Sequence, residues 1–217
     1  QAGYKRQDNN IFLLHGVTGS GKTEIYMRAI DSCLSMGQTA IMMVPEISLT
    51  KQIIDRFIGR FGSENIAVLH SKLSLGERYD EWVRIREGRV KIVIGARSAV
   101  FAPLENIGII ILDEEHESTY KSDMTPKYDT VEVAIKRAKA WDGLVVLGSA
   151  TPSVVSYYRS CERLYTRIEL KERYNKVPLP KVCTIDMRQE LKDGNKTILS
   201  RMLYDEMAEA LEKGQQV

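Results

Sequence analysis

A glycine-rich turn set between an apolar run and a helical pattern constrains this chain more than any other stretch. Ile11–Leu14 reads as a short buried strand. Gly16-Val17-Thr18-Gly19-Ser20-Gly21-Lys22-Thr23 follows, and Tyr26, Ala29, Ile30, Cys33 and Leu34 then recur at helical spacing until Gly37. Strand, loop and helix in that order are the context in which G-x-x-x-x-G-K-T means a phosphate cradle. Glycines let the loop fold back so that main-chain N–H groups meet phosphate oxygens, and the helix dipole adds positive potential. Lys22 would neutralise the β- and γ-phosphates of ATP, and Thr23 would place its hydroxyl on Mg²⁺.

The rest of the chain repeats the alternation. Strands are expected at Thr39–Val44, Ile66–Leu69, Val90–Ile94, Ile107–Leu112, Leu144–Leu147 and 164–169. Helices are expected over 22–36, after a Ser48 cap, from a Ser74 cap to about Glu87, through Val131–Trp141 and near 153–161. This is an α/β pattern: a RecA-like P-loop lobe with a mostly parallel sheet and helices on both faces, spanning 11–170. Residues 1–10 read as a flexible lead-in. Beyond 170 the texture changes to a basic, proline-containing connector, a strand at Val182–Ile185 and a helix carrying Leu203, Met207, Ala210 and Leu211, closed by Gly214. Residues 171–217 are expected to lead toward a further domain.

Composition excludes several classes. With 217 residues, 43% of them hydrophobic, the chain has room for one large core, or one domain and part of another. Its apolar runs are far shorter than the ~20 residues of a membrane helix. The net charge of +2 points to no partner. Cys33, Cys161 and Cys183 are scattered, with no metal-ligand spacing, as suits a reducing cytoplasm.

The unusual polar clusters fall at the carboxyl ends of the expected strands, where parallel sheets bind ligands. Asp113 would hold Mg²⁺, Glu114 would activate the attacking water, and Lys22 completes the catalytic set. His116, two residues on, could join Ser149, Ala150 and Thr151 in a relay between the ATP site and a polymer groove. Arg97 reads equally as a surface ion pair or a phosphate contact, and Tyr120 and Tyr128 as base-stacking rings or as packing under a loop.

Gly16–Thr23, Asp113-Glu114-Glu115-His116 and Ser149-Ala150-Thr151, in that order, resemble the first RecA-like lobe of superfamily 2 helicases. Val44–Thr50, Leu69–Ser71, Ile94–Pro103, Asp113–Lys121, Leu179–Val182 and Ile185–Arg188 further resemble the PriA family of primosomal replication-restart helicases. That resemblance implies a bacterial, cytoplasmic, ATP- and Mg²⁺-dependent DNA helicase moving 3′ to 5′. Such an enzyme recognises stalled forks and initiates primosome assembly. It implies single-stranded and forked DNA, primosome proteins and single-strand-binding protein as partners, and a monomer. DNA contact would fall to Pro45, Glu46, Ser48, Arg97, Ser98, Tyr120, Lys121 and Tyr128. Pro126, Lys127 and Val131 depart from the family's aromatic-rich loop.

The chain begins at Gln1 and stops at Val217. It is therefore expected to be part of a longer protein that carries the second lobe and a zinc module elsewhere. An arginine finger from a second lobe is worth roughly 10³ to 10⁵ in rate. This piece alone is expected to bind nucleotide weakly, hydrolyse ATP slowly and unwind nothing. Competing readings are another superfamily 2 translocase of the restriction or fork-regression type, a small-molecule P-loop kinase, and a scaffolding lobe.

Overall fold

In the computed structural model, which describes residues 10–174, 176 and 181–217, the alternation is realised almost element for element. In chain order, the strands are β1 (Ile11–Gly16), β2 (Thr39–Met43), β3 (Ile66–Leu69), β4 (Ile92–Gly95), β5 (Ile107–Asp113), β6 (Leu144–Ser149) and β7 (Thr166–Leu170). The helices are α1 (Lys22–Ser35), α2 (Lys51–Phe61), α3 (Leu75–Arg86), α4 (Thr130–Ala140), α5 (Val154–Cys161), α6 (Met187–Lys192) and α7 (Arg201–Glu212). The seven strands are all parallel and lie in the order β3-β4-β2-β5-β6-β1-β7.

The central strands are nearly continuous apolar runs because both of their faces are covered. One face carries Leu14, Met42, Ile94 and Ile111 against Tyr26, Met27 and Ile30 of α1 and Phe57 of α2. The other carries Leu13, Ile41, Ile110 and Leu147 against Ile85 of α3 and Ala134 and Ala138 of α4. Contacts divide the chain into a unit Gln1–Val177, which holds this sheet, and a unit Pro178–Val217, which holds α6 and α7.

Local chemistry sets the helix starts. Ser74 and Glu77 form a reciprocal capping box on α3, and Asp129, Ser153 and Ser200 cap α4, α5 and α7. Ser48 departs from its expected role as a cap. It closes a 3-10 turn, Glu46–Ser48, with its N–H on the Pro45 carbonyl at 2.8 Å. That turn consumes three residues, so α2 starts later, behind Thr50.

In the second unit, Val182–Ile185 is not a strand, and Val182 is 84% exposed. A strand needs a partner for its ladder, and none pairs with it among the described residues. The helix α6 follows instead, capped by Asp186, which accepts from the Arg188 N–H at 2.9 Å. Residues 1–9 of the expected 1–10 lead-in and the Leu179-Pro180 part of the connector lie outside the described residues.

Register positions the site. Asp113 on β5, Gly148 on β6 and Leu14 on β1 are level on three adjacent strands. Each strand therefore ends beside the next, with the phosphate loop, Ser149–Thr151 and Asp113–His116 side by side. No helix of the described residues is long and apolar enough to cross a membrane.

Candidate active site

The loop leaving β1 turns through Gly19 and Gly21, at φ 78° and 89°, a backbone region open to glycine and strained for other residues. Gly21 is the N-cap of α1. Lys22 is buried, and its Nζ donates to the Gly16 carbonyl at 2.9 Å. Ser20 Oγ is buried without a hydrogen-bond partner. A ring of tight glycines, an ammonium satisfied only by its own loop and an orphaned hydroxyl fit the polyphosphate of a nucleotide.

The loop opens into a cleft of about 850 Å³ that Thr23, Asp113 and Glu114 also line. Arg28, Arg56 and Tyr174 stand at the same cleft. Nothing in their sequence neighbourhoods marks them, because they come from α1, α2 and the segment after β7. No group of three metal-ligating side chains occurs among the described residues. Mg²⁺ binds through one or two protein oxygens together with phosphates and water. Here Thr23 and Asp113 would hold it, and it would supply charge neutralisation at the phosphates.

Asp113 receives the Tyr26 hydroxyl on Oδ1 at 2.8 Å, and its main-chain carbonyl receives the Tyr120 hydroxyl at 2.8 Å. Burial pushes the Asp113 carboxyl above its usual range, opposed by the Tyr26 hydrogen bond and the Lys22 charge. Glu114 is also pushed up, first by burial and then by the charge of Asp113, while Lys22, His116 and the Ala150 N–H favour its ionised form. Its backbone sits at φ 47°. A polarisable carboxylate beside the phosphate loop is placed for general-base work on water.

The two polar clusters are stitched together. The Glu115 N–H donates to the Gly148 carbonyl at 3.0 Å. His116 Nδ1 lies 2.8 Å from Ser149 Oγ. That oxygen already accepts from the Thr151 N–H at 2.9 Å, so its own proton is free for the imidazole. The contact expected between His116 and the Ser149–Thr151 segment is thus present, with Ala150 bonded to Glu114 beside it.

Glu115 is the residue whose role the sequence hid. It is 5% exposed and accepts from the Ser153 N–H at 2.7 Å, Ser153 Oγ at 3.1 Å and Ser156 Oγ at 2.9 Å. It anchors the start of α5, and a carboxylate is favourable at a helix N-terminus.

A second concavity, of about 630 Å³, is bordered by Ser118–Lys121, which follow His116 in the chain. Pro45, Glu46, Arg97, Ser98, Tyr120, Lys121 and Tyr128 all border it, so these seven expected DNA-facing residues are gathered at one groove; Ser48 is not among its lining. His70, Ser71 and Arg78 border it as well. Ser71 bonds the Glu46 carboxylate through both Oγ and N–H, which holds that carboxyl below its usual range.

Two open alternatives are narrowed here. Arg97, at the groove, donates from Nη1 to the carbonyls of Lys121 at 2.7 Å and Thr119 at 3.4 Å, and its guanidinium lies 5.8 Å from the Tyr128 ring. It braces the loop that follows His116. Tyr120 is 2% exposed, its ring belongs to the core, and Thr130 Oγ1 donates to its carbonyl. It has no ring face to offer a base. Tyr128 is half-buried, edge-on to Phe101 at 5.0 Å, and remains at the groove.

A RecA-like sheet with a phosphate loop facing an acidic pair defines a P-loop nucleotide-binding lobe. The chain belongs to the DEAD/DEAH box helicase family, which matches residues 4–158. It is 53% identical over 209 residues to the Replication restart protein PriA of Bacillus subtilis (strain 168), covering 96% of this chain and 26% of that protein. To the protein of the same name from Synechocystis sp. it is 49% identical over 211 residues, covering 94% and 25%. The chain thus spans about a quarter of the length of these curated relatives. Among solved structures, RecG bound to a three-way DNA junction superposes with a TM-score of 0.53 at 23% identity, over 75% of this chain and 20% of that one. Domain 2 of the DEAD-box helicase Mss116p, bound to an RNA duplex, gives 0.55 at 11% identity, over 75% and 63%. At such identities these two likenesses speak for the fold alone.

Proposed function

We propose that this chain is the nucleotide-binding first lobe of an ATP-dependent DNA helicase that moves 3′ to 5′, recognises stalled replication forks and initiates primosome assembly for replication restart. The observation that carries the motor reading is the bonded seam from Glu114, which lines the nucleotide cleft, and His116 to Ser149–Thr151, in the chain segment whose following residues, Ser118–Lys121, border the Arg97–Tyr128 groove. A small-molecule kinase has no use for that seam, and a scaffold has no use for the cleft. The choice of DNA and of restart is supported by relatives named as replication restart proteins.

In this reading Gly16–Thr23, with Lys22, takes the ATP phosphates. Thr23 and Asp113 take Mg²⁺, and Glu114 activates water. Pro45, Glu46, Ser48, Arg97, Ser98, Lys121 and Tyr128 shape the single-strand path. Residues 11–170 form the lobe, and 171–217 lead to a second lobe that supplies arginine fingers. Zinc belongs to another part of the full-length protein, which acts in the cytoplasm as a monomer with primosome and single-strand-binding proteins.

The test uses the intact protein. Single-stranded DNA is expected to raise phosphate release. Lys22→Ala should abolish both the basal and the stimulated rate. A 3′-tailed duplex should be unwound and a blunt one left intact. Phosphate release indifferent to DNA, or Lys22→Ala without effect, would overturn the proposal.

A further inference from the structure

Tyr26 falls on the apolar stripe of α1, where a leucine or phenylalanine would pack equally well, and it is 0% exposed. Its hydroxyl is nevertheless used: it reaches across to Asp113 Oδ1 at 2.8 Å, bridging 87 residues of sequence. The path runs over Gly148, which is level with Asp113 on the adjoining strand. A Cβ on Gly148 would stand 1.6 Å from the Tyr26 hydroxyl oxygen and 2.7 Å from the ring carbon that bears it. The bond therefore depends on two positions, a tyrosine on α1 and a bare backbone on β6. From the opposite face of the sheet, Tyr120 holds the main-chain carbonyl of the same aspartate at 2.8 Å.

We propose that Tyr26 is a positioning residue for the metal-bound nucleotide: by occupying one oxygen of Asp113 it fixes the direction in which the carboxylate faces Mg²⁺. Buried metal-site carboxylates are usually oriented by a neighbour of this kind, and loss of the neighbour weakens metal binding by about 10- to 100-fold. The placement of Tyr26 on the helix that follows the phosphate loop means that one rigid element carries Lys22, Thr23 and the group that aims Asp113. The proposal rests on reading Gly16–Thr23 with Asp113 as an Mg²⁺–ATP site.

The experiment titrates Mg²⁺ against binding of a fluorescent, non-hydrolysable ATP analogue to the intact protein, followed by anisotropy. Tyr26→Phe keeps the ring and removes the hydroxyl. It is expected to raise the Mg²⁺ concentration for half-maximal binding about tenfold, while the affinity measured in EDTA stays within about twofold. A purely packing tyrosine would leave the Mg²⁺ requirement unchanged, and that result overturns the proposal. Asp113→Asn supplies the control for altered folding: in that background Tyr26→Phe should add no further change, and independent, additive effects would again overturn the positioning role. If the wild-type protein binds the analogue without any dependence on Mg²⁺, the metal–nucleotide reading of the cleft fails, and this inference fails with it. A wild type that responds to Mg²⁺ beside an unchanged Tyr26→Phe rejects the tyrosine's role alone.

Discussion

Glu114→Gln is expected to cost the intact protein about 10²- to 10⁴-fold in ATP turnover, the usual worth of a general base, and at the same time to raise the melting temperature of the nucleotide-free form. The two effects have one cause. Glu114 is pushed above the ordinary carboxylate range by burial, and then by the charge of Asp113 next to it. Because its folded pKa is raised, the fold favours the protonated acid. The stability contribution is fully present below the unfolded value near 4.5 and is lost as pH rises through the folded pKa. At neutral pH the ionised side chain is therefore a burden on the resting lobe, carried because an acid of raised pKa is a better base for water. Glutamine keeps the shape and an acceptor for the Ala150 N–H but carries no charge. Thermal melting at neutral pH should show the variant above wild type, and the gap should close as pH is taken down toward 4.5. Phosphate release measured alongside should show the loss in rate, with nucleotide binding retained. A variant that melts below wild type at neutral pH contradicts this account.

Glu115→Ala is expected to act in the opposite way, destabilising the fold by about 2–4 kcal/mol. Its carboxylate collects the Ser153 N–H and the Ser153 and Ser156 hydroxyls, and Ser156 is itself buried. Deleting the acceptor strands a main-chain donor and a buried hydroxyl at the first turn of α5. Each orphaned buried group costs about 1–3 kcal/mol, and a hydroxyl can turn to recover part of that. Glu115→Gln keeps one acceptor oxygen and should lose less than half as much. Urea unfolding of the 217-residue chain reads both values. A Glu115→Ala chain as stable as wild type would mean that α5 is held by its apolar contacts alone. Two adjacent glutamates in one motif thus separate by measurement: one loses chemistry and gains stability, the other loses stability.

That separation marks where the sequence stops being legible. The order Asp113-Glu114 after an apolar strand is enough to name the two acids expected at the site, but nothing in the chain says what the equally polar Glu115 does. The turn at Glu114, with φ 47°, sends Glu114 toward the phosphate loop and Glu115 toward α5. Arg97 and Tyr120 stay open between two readings for the same reason. An exposed-looking arginine and a tyrosine in a polar loop have no sequence signal that distinguishes contact with a ligand from bracing the loop itself. In the structure, Arg97 grips that loop by its carbonyls and Tyr120 pins it to Asp113.

What the sequence determined by itself is local. The strand periodicity, the glycines that permit positive φ in the phosphate loop, and the serine and aspartate caps at 74, 129, 153 and 200 all act within a few residues of themselves. With right-handed crossovers between parallel strands, those signals leave little choice but a RecA-like sheet whose strand ends converge. Only the tertiary structure decided which side chains meet there. Tyr26 finds Asp113 because Gly148 lies between them without a Cβ; His116 finds Ser149 because β5 and β6 are neighbours in register; Val182–Ile185 is not a strand, and no neighbour among the described residues offers it a ladder. Hydrogen bonds across 33 and 87 residues depend on strand order and on space left by a neighbour. Neither quantity is written in any window of the chain.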